Sequence, residues 1–539
     1  MSRSPDPHDG PPASESATLP PPDDRSPSAS DALTATGRVF RDLPGAVFPA
    51  YLLALGTASV ARVPVLLAVA LALGLLDRAG RIDPILREVK ASAEEIQARE
   101  SVPPEVAGAL RDLVTPEVIA LVAGGVIAGF VVFALARAVS TAVTQTTVWA
   151  ALSVGSEVGP VGDDGDPTRT PAERALTAGV RGAGHWRAFL GLFLLKLLLV
   201  GLFVGVPAVL TAGLASVSRV AAVAGGLLLA VGGLVTALAL LLLSFAGPAI
   251  VVDRAGTLGA AKRSVGFVRR HVGTTLAFVL VAGGLYVGAG VLAGAFSLVG
   301  AGRVGGFLVP LVVSPLIDLL ATGLYAGVET TDEVASDETT ADDGGFQWVG
   351  STDHSVAGSS ERGRQSATPG VTVPIRERGS IRTRLRELFG GGLRTSLGIL
   401  RRHPLAVGVA LLAFVLGGVG GWTLTASAGV AVDPPDDVAG VFGPLPVNDF
   451  LNIAANNWLV AASGTYSGLA FALPALSAAT FNGALIGALA GVFDRVALIA
   501  LVAPHGVIEV PALLLAWGLG VHLGVVGWRA VRGRTDAVT

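Results

Sequence analysis

GTTLAFVLVAGGLYVGAGVLAGAFSL, residues 273–298, holds 26 positions without one charged side chain. As a helix rising 1.5 Å per residue it reaches about 39 Å, more than the roughly 30 Å of a bilayer's hydrocarbon core. In lipid every backbone N–H and C=O must be paired within the protein, which leaves only helices and closed barrels. A barrel strand alternates apolar and polar residues over about ten positions. Here Phe278 to Ala282 is uninterruptedly apolar. The stretch reads as a transmembrane helix.

The same pattern recurs to either side. Apolar runs fall near 58–77, 117–139, 188–213, 220–247 and 304–327, and again near 404–426, 462–492 and 496–527. The sequence therefore predicts an all-α fold, a polytopic transmembrane helical bundle of about nine spans in two domains. Of its 539 residues 51% are hydrophobic and 15% charged, against about a quarter charged in soluble chains. The charges sit in blocks between the runs. There is no cysteine, which excludes disulfide and thiolate chemistry. Lysine stands only at Lys90, Lys196 and Lys262, with arginine elsewhere. Together with acidic loops this is a halophilic composition, or that of a GC-rich genome.

Residues 1–37 are rich in Pro, Ser and Asp and read as a disordered cytosolic tail, with no cleavable signal peptide visible. A six-span membrane domain is expected over 38–328. Its first apolar run, 43–76, is broken by Pro44, Pro49 and Pro64, which predicts an interfacial helix followed by the span at 58–77. Residues 78–115 read as an extramembrane helix pair. Beyond 139 the continuation through Thr141, Thr144, Thr146 and Thr147 is expected to leave the membrane. Residues 329–384 lack apolar periodicity and read as a disordered cytosolic linker, and 385–539 as a second membrane domain. Arg and Lys concentrate in 156–187, 252–272 and 329–403, which places the N-terminus and the linker in the cytosol. Two places run against that placement: loop 78–115 carries six basic residues, and Arg529, Arg532 and Arg534 follow the last span.

A local repeat precedes two spans. Ser264-Val-Gly266-Phe-Val-Arg269-Arg270-His271 matches Ser396-Leu-Gly398-Ile-Leu-Arg401-Arg402-His403. Leu258, Ala261, Val265 and Val268 form an apolar stripe at helical spacing in the first. Lys262, Arg263, Arg269, Arg270, Arg401 and Arg402 suit an anionic lipid surface, or serve only as positive-inside anchors.

The second domain carries the candidate chemistry. Pro504, Gly506 and Pro511 predict a broken helix with unpaired backbone groups at membrane depth. His505 and Glu509, four apart, would share a face; alternatively Glu509 is a first-turn acid satisfying frayed N–H groups. Asn456, Asn457 and Asn482 are amides suited to bonding between helices. Gly483, Gly487 and Gly491 form a small-residue stripe for helix packing, repeated at Gly520 and Gly524. In the first domain Lys196 and Asp318 stand inside apolar runs, where they line a cavity and pair if their helices touch, or are satisfied core polar groups.

The Asn-Asn pair, the Asn482-Gly483 step and Pro504-His-Gly-x-x-Glu-x-Pro-Ala, in this order, resemble the stage II sporulation protein M family over about 385–530. The family's spans normally continue past the last string, and no further span is expected here. The resemblance implies a component of a membrane assembly, since the namesake acts in a complex with a cell-wall hydrolase. Gly247-Pro248-Ala-Ile-Val-Val-Asp253 and the basic helix after it are similar to membrane domains fused to glycerophosphodiester phosphodiesterases, over about 250–290. No phosphodiesterase domain accompanies them.

The functional expectation is a multi-pass cell-membrane protein, a non-enzymatic scaffold or assembly component. Two alternatives stay open: a transporter or channel using the break at Pro504–Gly506, and an intramembrane hydrolase. No catalytic residue, metal ligand set or cofactor is assigned. The expected partners are the bilayer and other membrane proteins, with a homo-oligomer open and no nucleic acid.

Overall fold

The computed structural model describes residues 29–91, 104–154, 170–215, 218–298, 302–340, 391–426, 447–467, 472–494, 498–499 and 506–531. Among them, nine helical stretches are long and apolar enough to cross a membrane.

The first helix, α1 (Ala29–Asp42), begins inside the tail expected to be disordered. Ala32, Thr36 and Val39 are its buried face, and Gly323 lies against Ala32. The Pro- and Ser-rich composition stops before Ala29, so the tail boundary at 37 was set too late. Helices α2 (Pro44–Ala58) and α3 (Arg62–Arg78) are joined by one 3-10 turn and divide the first apolar run close to residue 58, as expected. Ala46, Val47 and Ala50 of α2 are enclosed, and its small residues let it wedge between neighbours. Helices α4 (Ile82–Ala91) and α5 (Pro104–Asp112) pack on each other as the expected pair.

Helix α6 (Pro116–Leu152) is one uninterrupted helix of 37 residues. Its polar second half is packed inside the protein: Ser140, Thr144, Gln145, Thr146 and Thr147 are all buried. The hydroxyls of Thr146 and Thr147 donate to the carbonyls of Ala142 and Val143, both at 2.8 Å, which removes the cost of enclosing them. Helix α7 (Pro171–Gly182) covers this face, with Gly179 and Gly182 set directly on Thr147 and Thr146. A Thr170–Glu173 capping box starts α7.

Next come α8 (Trp186–Val200) and α9 (Val206–Ala215), joined by a π-turn, then α10 (Arg219–Leu242). The short helix α11 (Ala246–Val252) is almost wholly enclosed. Phe245 just before it meets Phe267 and Phe278 at ring distances of 4.5 and 5.1 Å, and Tyr325 joins Phe267 at 5.2 Å. Helices α12 (Thr257–Arg270), α13 (Val272–Leu298) and α14 (Ser314–Thr340) complete the first bundle. α14 runs to Thr340, into the stretch expected as linker. Residues 341–384 of that linker lie outside the described residues.

The second domain comprises α15 (Gly392–Arg402), α16 (Pro404–Ala426), α17 (Val447–Ser467), α18 (Leu473–Val492) and α19 (Glu509–Val531). Trp517 is fully enclosed at its centre. The two domains touch: α17 packs along α2, and Trp458 meets Phe307 edge-on at 5.1 Å.

Candidate functional site

The repeated segments fold alike. α12 ends at His271 (φ −116°, ψ 58°) and α15 at His403 (φ −125°, ψ 57°), and each histidine leads straight into a crossing helix. The backbone N–H of His271 donates to Phe267 and that of His403 to Ile399. The buried face of α12 is Ala260, Ser264, Phe267 and Val268, and Leu258 of the apolar stripe is 71% exposed. The inward polar residue is Ser264. Its hydroxyl donates to Leu242 O at 2.7 Å and accepts the N–H of Phe245 at 3.1 Å, holding the α10–α11 corner. Lys262, Arg269, Arg270, Arg401 and Arg402 are exposed, as a lipid-facing role requires. Arg263 has another engagement: it pairs with Asp253 at 2.6 Å, and the same carboxylate accepts from Tyr325 at 2.5 Å.

In the second domain the glycine stripe is a helix seam within the chain. Gly483 rests on the Phe414 carbonyl, Gly487 on that of Gly418, and Gly491 on Thr425. From the facing helix Gly417 and Gly421 rest on the carbonyls of Thr480 and Ala484. The two backbones touch along α16 and α18, and Thr425 Oγ1 donates across to Ala488 O at 2.9 Å. Gly520 and Gly524 of α19 seat on Gly464 and Ala472 in the same manner.

Two of the amides bond close to home. Asn482 Nδ2 donates to Ala478 O of its own helix at 2.8 Å, and Asn456 Nδ2 to Asn457 at 3.4 Å. Val507 and Ile508 form a turn after Gly506, and α19 starts at the half-buried Glu509, with Pro511 in its first turn. Glu509 thus holds the first-turn position of a helix-starting acid. Pro504 and His505 lie outside the described residues. The sequence also gave no hint that His403 stacks on His522, ring centroids 4.1 Å apart and planes at 27°.

A family model described as Stage II sporulation protein M matches residues 408–539. That span holds α16 from Gly408 onward together with α17, α18 and α19, so the helix seam and Glu509 belong to the matched region. The chain is a multi-pass membrane protein. No curated protein and no solved structure matches it.

The first domain brings Lys196 and Asp318 to one cavity of about 460 Å³. Among the wall residues not read from the sequence are Tyr51, Arg137 and Gln145. The Tyr51 hydroxyl donates to Asp318. Arg137 carried a signal equal to that of Lys196, a single charge within an apolar run. Tyr51 sat in the segment read as interfacial, and Gln145 in the segment read as emerging.

Proposed function

We propose that the chain is a non-enzymatic multi-pass component of a membrane assembly, with its N-terminus and linker on the cytosolic side. The observation that carries this reading is the α16–α18 seam. Backbone-to-backbone contact through alternating glycines makes the two helices one stiff unit. Its outer faces present Leu412, Leu416 and Trp422 from α16 and Phe481 and Leu485 from α18, all exposed. A stiff apolar face is what a membrane partner needs, because little order is lost when it docks. The match to Stage II sporulation protein M over the same helices supports it. Partners are then other membrane proteins or a second copy of the chain. The likeness of residues 250–290 to phosphodiesterase-fused membrane domains enters only as a likeness of membrane architecture, with no phosphodiesterase activity.

The test is photocrosslinking in the native membrane with a diazirine side chain at Leu416 and, separately, at Leu485. One and the same protein captured from both positions supports the assembly reading. Lipid adducts alone at both positions refute it.

A further inference from the structure

The cavity in the first domain is built from groups that membranes rarely tolerate without a use. Asp318 sits nine residues from each end of its crossing segment, Val309–Gly327, which is about 14 Å from either end at 1.5 Å per residue. Lys196 and Arg137 reach the same space from α8 and α6. Asp318 is the one carboxylate in the cavity wall, and it already accepts the Tyr51 hydroxyl. Neither cation closes a contact ion pair among the described residues. Two cations and one carboxylate therefore line the cavity, Lys196 half-buried and Arg137 exposed, and the net positive charge of the wall favours a counter-charge.

Two further observations point to a ligand. Gln145 is only 5% exposed, lines the cavity, and its Oε1 has no hydrogen-bond partner among the described residues. A buried carbonyl oxygen of this kind takes a hydroxyl or N–H donor, which the ligand carries beside its anionic group. The wall also holds Phe189, Leu192 and Phe278 beside the hydroxyls of Thr141, Thr144, Ser244 and Ser314. The aromatic and leucine side chains offer an apolar body a surface that a small inorganic ion does not use.

We propose that this cavity binds an organic anion, its carboxylate or phosphate held by Lys196 and Arg137 and its apolar body against Phe189, Leu192 and Phe278. An anionic lipid headgroup and a free solute share this chemistry. The proposal does not depend on the assembly reading.

The experiment uses the full-length protein in nanodiscs of phosphatidylcholine and follows its thermal unfolding midpoint. One arm titrates sodium 4-hydroxybenzoate, which carries both a carboxylate and a hydroxyl donor, against sodium chloride at equal ionic strength. The other replaces part of the lipid with phosphatidylglycerol. A saturable rise with hydroxybenzoate beyond chloride identifies a solute site. A rise with phosphatidylglycerol alone identifies a headgroup site. In either case Lys196→Met folds at least as well as the parent without ligand, because it removes a buried charge. It weakens the anion's effect by about tenfold to a hundredfold, the loss of one charged hydrogen bond, while Lys196→Arg retains the effect. Arg137→Gln gives the same loss by a second route. A response to neither anion, a response matched by chloride, or a response that survives both Lys196→Met and Arg137→Gln overturns the proposal.

Discussion

Gly487→Ala tests the helix seam directly. The added methyl would sit on the Gly418 carbonyl oxygen, 2.7 Å from its carbon and 2.8 Å from the Gly418 Cα. Ordinary carbon contacts need about 3.5–4.0 Å. Both obstacles are backbone, so no side chain can rotate away. The helices must part by about 1 Å, which stretches the bond from Thr425 Oγ1 to Ala488 O beyond its present 2.9 Å. Overpacking of this kind costs about 1–3 kcal/mol. Gly420→Ala is the matched control: on the same pair of helices, its methyl meets nothing within 4 Å. There the substitution gains helix propensity, up to about 1 kcal/mol. The two variants should therefore differ by about 2–4 kcal/mol. Thermal unfolding of the purified protein, followed by tryptophan fluorescence through Trp422 and Trp517, measures the difference. Equal midpoints for Gly487→Ala and Gly420→Ala would falsify the claim that the backbones touch.

Asp253→Asn should destabilise the first domain by about 1–3 kcal/mol, since it weakens the bonds from both Tyr325 and Arg263. Arg263→Gln should cost less, because its side chain is 53% exposed, and the order of the two midpoints checks this. With no native cysteine to interfere, Lys262→Cys and Ser351→Cys should react with an impermeant maleimide from the same face of oriented vesicles. Labelling from opposite faces would sink the proposed orientation. Glu509→Gln should keep near-parental stability while Glu509→Ala loses about 1 kcal/mol at the start of α19; equal loss in both would mean that the charge itself is needed.

The number and type of crossings were legible because an apolar run longer than a bilayer is thick admits few other readings. The glycine seam was legible on one side only. Gly483, Gly487 and Gly491 stand in register, whereas Gly417 and Gly421 sit among further glycines that face nothing, such as Gly420. Lys196 and Asp318 were legible as single charges, but their meeting required the fold. The packing of the polar half of α6 was not legible. Thr146 and Thr147 satisfy their own hydroxyls within one helical turn and so are enclosed at little cost. Hydropathy cannot see that bond. Nor can it see that α2, cut by Pro49, is buried for the smallness of its residues rather than for its length.

Helix α2 makes contacts to both domains. Its Tyr51 reaches Asp318 in the cavity, and α17 of the second domain packs along it. A rigid element shared in this way is a thermodynamic lever. An anion that favours one seating of α2 alters how well α17 docks, and a partner that repositions α17 alters the anion's affinity. Linkage requires the two effects to be the same factor. Occupancy of the first domain and assembly through the second are then two readouts of one equilibrium.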